Sequence, residues 1–205
     1  MVAKTRIQKM KETQAKLIAA GRKAFAEKGY ALASMDELTA EVGLTRGALY
    51  HNFGDKRGLL AAVVDQIDTA MASRAKELGQ KAGGGWEGLM AEGAAYIRMA
   101  LEPEVQRIVL LDGPAVLGDP SQWPSQNRCL QATINTLTNL ANDGYIKPVD
   151  IEALSRLLNG IALNAALWVA ASDDAETTLP KAISAFECLA SGALNPTTEA
   201  LSIKN

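Results

Sequence analysis

Apolar residues return every three or four positions through most of this chain, and no pair of strands can be discerned. That rhythm predicts helices packed on helices. In Thr5 to Lys28 the stripe is Leu17, Ile18, Gly21, Ala24 and Phe25, with Gly29 as the stop. The polar first turns, to about Gln14, are expected to fray. In "SMDELTAEVG", Ser34 and Glu37 form a capping box, and Met35, Leu38 and Val42 form the inward face. After Gly43, Thr45 caps a second short helix from Arg46 to about Asn52. Two short helices joined by a tight glycine turn make a helix-turn-helix pattern. Asp55 then caps a long helix, Lys56 to about Gln80, whose apolar face carries Leu59, Leu60, Val63, Val64, Ile67 and Met71.

Beyond the break "AGGG" at 82–85, further helices are expected near 86–101, 103–112, 122–142, 150–171 and 178–192. "DGPAVLGDPSQW" reads as loop with one short helical turn, and the tail from Asn195 as polar and mobile. The fold class is therefore all-α. The expected division is a three-helix helix-turn-helix head, 1–60, and a larger helical body, 61–205.

Composition narrows the function classes. Apolar residues make up 48% of the chain and aromatics only 5%, a mix that suits closely packed helices. The longest apolar run, Ile161 to Ala171, is short for a bilayer span of about 20 residues, and the charged N-terminus lacks a secretory h-region. A cytoplasmic protein with no membrane partner is expected. Cys129 and Cys188 stand far apart with no Cys/His cluster, so no metal site or cofactor is expected, and the thiols read as buried and inert. The net charge of −2 hides an asymmetry. Residues 1–60 hold 11 Lys/Arg against 6 Asp/Glu, and the remainder 10 against 17. A basic head on an acidic body points to a polyanionic partner.

The segment Ala20 to Leu60 carries F-x-E-K-G-Y, then S-M-x-E-L, then V-G-x-T-x-G-A-L-Y-x-x-F-x-x-K. In order and spacing it resembles the DNA-binding domain of the tetracycline-repressor (TetR) family. "RIVLLDGPAVLG", Arg107 to Gly118, is similar to a segment in some members of that family. The resemblance implies double-stranded operator DNA as partner, a homodimer, and a small-molecule effector bound beyond about residue 65.

The residues fit that expectation. Thr45 and the helix N-terminus offer a hydroxyl and amides to a phosphate. Arg46 is the long basic side chain able to fork onto a guanine. Gly47 and Ala48 let the helix sit deep. Tyr50 and His51 suit phosphate or thymine-methyl contact, Lys56 suits the backbone as a point charge, and Ser34 and Met35 offer amides at the preceding helix start. His51 is the chain's one histidine, and no triad partner or second His makes it a catalytic base or metal ligand.

In the body, the last two helices are rich in Ala and Leu. Leu154, Leu157, Leu158, Ile161, Ala165, Leu167 and Trp168 make the first of them nearly apolar all round, with one side for its own domain and one for a partner subunit. Polar and aromatic residues on apolar faces are the pocket candidates: Tyr96, Met99, Asp112, Trp123, Asn127, Asn164 and Trp168. Such a pocket suits a flat or lipophilic, uncharged ligand. The expected function is a ligand-released repressor. The competing reading is a helical enzyme or scaffold carrying a helix-turn-helix head, although no phosphate loop or paired catalytic residues support it.

Overall fold

The structure is a computed structural model that describes residues 5–196. These form α1 (Arg6–Leu32), α2 (Met35–Glu41), α3 (Arg46–Phe53), α4 (Lys56–Lys81), α5 (Gly85–Arg98), α6 (Gly113–Leu117), α7 (Pro124–Asn142), α8 (Ile151–Ala171) and α9 (Ala175–Ser191). Short 3-10 turns occupy Met99–Leu101 and Pro120–Gln122, and Val105–Asp112 is π-helical. One isolated antiparallel bridge, Ile146 to Leu194, is the sole extended pairing among the described residues. The tail expected to be mobile lies, from residue 197 on, outside the described residues.

Side-chain caps set several starts. Thr5, Ser34, Thr45, Asp150 and Asp174 each accept from a backbone N–H three residues on. At Thr5 the box is reciprocal, because Gln8 Oε1 receives the Thr5 amide at 2.9 Å, so α1 starts at Arg6 with a capped first turn. At Ser34 only half of the expected box forms, since Glu37 is drawn to Lys28 Nζ at 2.6 Å.

The chain divides into two compact units. The first holds the chain up to Ile67 together with Pro103–Pro120, and the second holds Asp68–Glu102 and the chain from Ser121. This differs from a cut at residue 60, because the inserted segment 103–120 packs with the head. Its anchor is the interruption of α1 at Gly29, whose φ of 75° and ψ of 165° break the helix before a last turn resumes. The freed carbonyls of Ala26 and Glu27 accept from Arg107 Nη1 at 3.3 and 3.4 Å. The Tyr30 amide donates to Asp112 Oδ2 at 2.8 Å. Arg22 pairs bidentately with Glu104 at 2.5 Å, and Arg57 donates to the carbonyls of Val116 and Leu117. Beneath these contacts Leu17, Phe25, Leu38, Leu49, Leu59 and Leu60 are buried. Leu44 and Phe53, expected in that core, are half-buried.

In the second unit α8 packs against α5, α7 and α9. A core of Trp86, Leu89, Leu137, Leu140, Ile146, Leu158 and Ala190 closes one end. α8 is 21 residues with a mean hydropathy of 1.3, long and apolar enough to cross a membrane by length and composition. Its inward face is Ser155, Leu158, Ala162, Ala165, Ala166 and Val169, buried against its neighbours.

The lower end of α4 and the start of α5 touch through glycines. A Cβ at Gly88 would lie 2.9 Å from the Gly79 carbonyl oxygen, and one at Gly79 2.7 Å from that of Gly88. Backbone meets backbone here, so neither side can yield cheaply. Gly88→Ala is expected to cost about 1–3 kcal/mol by overpacking, despite the better helix propensity of alanine. Urea unfolding checks it, and unchanged stability would mean that the crossing is looser than described.

Candidate nucleic-acid interface and effector cavity

The first site is the outward face of α3. Thr45 caps the helix, its Oγ1 accepting from the Ala48 amide at 3.2 Å. Its hydroxyl hydrogen is left for another acceptor. Arg46 is exposed, reaching Asp36 Oδ2 at 3.5 Å and donating to Tyr50 Oη at 3.2 Å. Its guanidinium also stands 5.5 Å from the Tyr50 ring centroid. Gly47, Tyr50 and His51 are exposed, and Ala48 is half-buried. Nothing blocks approach at Gly47 apart from the Thr45 hydroxyl at 3.7 Å from an added Cβ. Ser34 and Met35, at the start of α2, are half-buried. Lys56 is less free than a bare point charge. Its ammonium donates to the Ala31 carbonyl at 3.2 Å and lies 4.6 Å from the Tyr30 ring centroid. Burial lowers its pKa, with Asp112 opposing that shift.

The second site is a cavity of about 270 Å³ within the second unit. α4 supplies Thr69, Ala72, Ser73, Ala75 and Lys76. α5 supplies Leu89, Glu92, Gly93 and Tyr96. α7 supplies Ser125, Gln126, Arg128, Cys129, Ala132 and Thr133, and α8 and α9 close it with Leu158, Asn159, Ala162 and Phe186. Asp68 stands behind this wall, fully buried. Gln126 Nε2 donates to its two carboxylate oxygens at 3.2 and 3.0 Å and to Tyr96 Oη at 3.2 Å. Burial, then the Asp68 charge, raises the Tyr96 pKa, which keeps the phenol protonated. Burial likewise raises Glu92 and pushes the Cys129 thiol up to about 11, so Cys129 is a poor nucleophile at neutral pH.

Of the pocket candidates read from sequence, Tyr96 lines this cavity. The others stand elsewhere. Asn164 and Trp168 share the outward stripe of α8 with Leu157 and are exposed, Trp168 by 51%. The small-residue side of α8 turned inward and left the bulky side out. Asn127 is exposed on α7. Met99 and Trp123 are buried in packing, the latter with Nε1 unpartnered. Asp112 belongs to the first unit, where it receives the Tyr30 amide. Sequence reasoning missed Asp68, Glu92 and Gln126. Asp68 carried a signal, a carboxylate set between Ile67 and Met71 on an apolar helix face. Cys188, read as buried, is exposed on α9. Among the described residues no group of three His, Cys, Asp or Glu is placed to hold a metal ion.

The chain has relatives among known proteins. A family described as tetracyclin repressor-like, C-terminal domain, matches residues 86–193, just over half of the chain. The bacterial regulatory proteins of the tetR family match residues 17–63. The chain belongs to the TetR family. It is thus a DNA-binding transcriptional regulator with an N-terminal helix-turn-helix and a larger helical C-terminal domain. A TetR-family transcriptional regulator from Pectobacterium atrosepticum is 47% identical, with a TM-score of 0.84 over 93% of this chain and 98% of that one. The transposon Tn10 TetC protein of Escherichia coli is 25% identical over 162 residues, 77% of this chain and 80% of that protein. RolR in complex with resorcinol shares the fold at 19% identity and a TM-score of 0.65, over 88% of this chain and 90% of that one.

For this TetR-family head, Arg46→Ala is expected to weaken specific DNA binding by roughly 5- to 150-fold and to relax preference at one base position. Lys56→Ala should weaken binding to all sequences and lower the salt slope by about one unit. Fluorescence anisotropy against the chain's own promoter region, at two salt concentrations, reads both. If Arg46→Ala retained full sequence preference, it would lose its assignment as a base reader.

Proposed function

We propose that the protein is a cytoplasmic homodimeric repressor that leaves its operator when a small, largely apolar molecule enters the cavity of the second unit. The observation that carries this reading is the cavity itself: an apolar space with a few fixed polar groups, beside a helix that begins in the DNA-binding head. α4 runs from Lys56 to Lys81 and contributes its middle residues to the cavity wall. An occupant that shifts those residues shifts the helix that carries the head. Two recognition helices must meet half-sites about 34–36 Å apart, so a displacement of a few Å removes base contacts. In support, the distantly similar RolR has resorcinol as its ligand, a small aromatic molecule.

The dimer rests on α8 and α9. Leu157, Trp168 and Leu189 are 65%, 51% and 63% exposed, and Gly160 and Asn164 lie on the same outward stripe of α8. Apolar side chains exposed in this number call for a cover, and a second copy of the pair makes a four-helix interface. Ala165 faces inward, so a charge there would disturb the protein's own core, whereas Ala185 and Leu157 face outward.

Two measurements test the reading. Leu157→Glu buries an unpaired carboxylate in the interface, so sedimentation should show monomers and the operator affinity should collapse. A wild-type monomer at about micromolar concentration would end the dimer reading. Any compound that binds the cavity should weaken operator binding, and the operator should weaken the compound by the same factor. Equal compound affinity with and without operator would remove the switch.

A further inference from the structure

The hydrogen-bond donors on the inner wall of the cavity are largely spent. Tyr96 bonds to the Asp68 carboxylate, and the Gln126 amide nitrogen donates to both Asp68 oxygens. A carboxylate accepts but does not donate, so the nitrogen end of Gln126 must face it. Gln126 Oε1 is thereby fixed at the other end of the amide, as an acceptor with no partner among the described residues. The Thr133 hydroxyl is likewise committed, to Asn159 Oδ1 at 3.0 Å or the Cys129 carbonyl at 3.1 Å.

Two more groups lack hydrogen-bond partners. Ser125 lines the cavity, is 2% exposed, and its Oγ has no hydrogen-bond partner. Glu92 is half-buried and its carboxylate feels the charge of Lys76, which opposes the effect of burial, but no hydrogen bond to it is seen among the described residues. A Cβ at Gly79 would lie 2.5 Å from Glu92 Cγ and 2.7 Å from its Oε1, so a larger residue there would displace the Glu92 side chain. Buried polar groups without partners are costly, and a ligand can supply what is missing: a donor for Gln126 Oε1 and Glu92, and either role for the Ser125 hydroxyl. Lys76 and Arg128 also line the cavity, but both are exposed, and Arg128 donates to Thr69 Oγ1 at 2.8 Å. An anion that passed them would face Glu92, with Asp68 behind the wall. Asn159 Nδ2 remains available as a donor, so an oxygen that both donates and accepts fits better than one that only accepts.

We propose that this cavity selects a small, largely apolar molecule bearing an uncharged hydroxyl or an N–H donor, and discriminates against carboxylates. The proposal rests on the reading of the cavity as the effector site. It follows from the pairing of Asp68 with Tyr96 and Gln126, which turns the wall from donor to acceptor.

Three probes of one skeleton test it: 2-phenylethanol, its methyl ether, and phenylacetate, titrated against the full chain by ligand-observed NMR, which reads millimolar binding. The alcohol is expected to bind on the order of tenfold tighter than the ether, with phenylacetate weakest. The Glu92→Gln, Ser125→Ala double variant should narrow the preference of the alcohol over the ether, with Gln126 Oε1 left as an acceptor. Ser125→Ala orphans no partner and Glu92→Gln removes only the attraction of the exposed Lys76, so the thermal midpoint should not fall, and a folded variant keeps the comparison valid. Ether and alcohol within about twofold would overturn the donor proposal while leaving the effector cavity standing. So would tighter phenylacetate, or an alcohol preference that is undiminished in the folded double variant. If none of the three binds, the cavity is not an effector site and both readings fall together.

Discussion

The DNA-reading head depends on how the backbone is satisfied at one break. Gly29 takes a φ of 75° and stops α1, which strands carbonyls before it and an amide after it. A backbone polar group taken from water without a partner costs roughly 1–3 kcal/mol. The partners come from a distant part of the chain: Arg107 for the carbonyls of Ala26 and Glu27, Asp112 for the amide of Tyr30. All of these are charge-assisted, but the Asp112 contact is part-buried and shorter, and it outweighs the exposed Arg107 bonds. The Arg22–Glu104 fork is partly exposed and contributes more to register than to stability. α2 and α3 follow directly from this turn, so segment 103–120 braces the helix against which they pack.

That segment is not a free insertion. It leaves the second unit after Glu102, whose carboxylate is held by the Arg74 guanidinium at 2.9 and 2.6 Å on α4, and it returns at Ser121. Tyr96 lies six residues before Glu102, and Gln126 six after Pro120. The two side chains that bond Asp68 thus stand on either side of the segment that holds the head. The chain runs from cavity to reader by two covalent routes, α4 and segment 103–120. The latter contains the π-helical stretch Val105–Asp112, an irregular geometry often found at functional positions.

Periodicity and capping made the fold legible: Ser34, Thr45 and Asp55 act as caps where their spacing predicts them, and the helix-turn-helix stands where Gly43 divides it. The cavity was much less legible, for a physical reason. A helix that is apolar all round, such as α8, has two possible inward faces, and hydrophobicity alone does not choose. Close packing against α5, α7 and α9 selected the face with Ser155, Ala162, Ala165 and Ala166, which lets backbones approach. The bulkier Leu157 and Trp168 were left outside. Asp112 misled for a different reason, since its partner lies 82 residues away and no local pattern announces it.

Asp68 ties these threads together. A fully buried carboxylate is retained only where hydrogen bonds hold it, and here Tyr96 from α5 and Gln126 from α7 converge on a residue of α4. Three helices therefore share one polar knot at the edge of the cavity. The knot is in one respect fragile: shifting either partner by about an ångström breaks a charge-assisted bond, worth roughly 1.5–3 kcal/mol. Allosteric couplings are about 1–3 kcal/mol in size. Under the proposed switch, an occupant that satisfied Gln126 or Ser125 at the expense of Asp68 would act on an energy of the right magnitude, on the residue with which α4 enters the second unit.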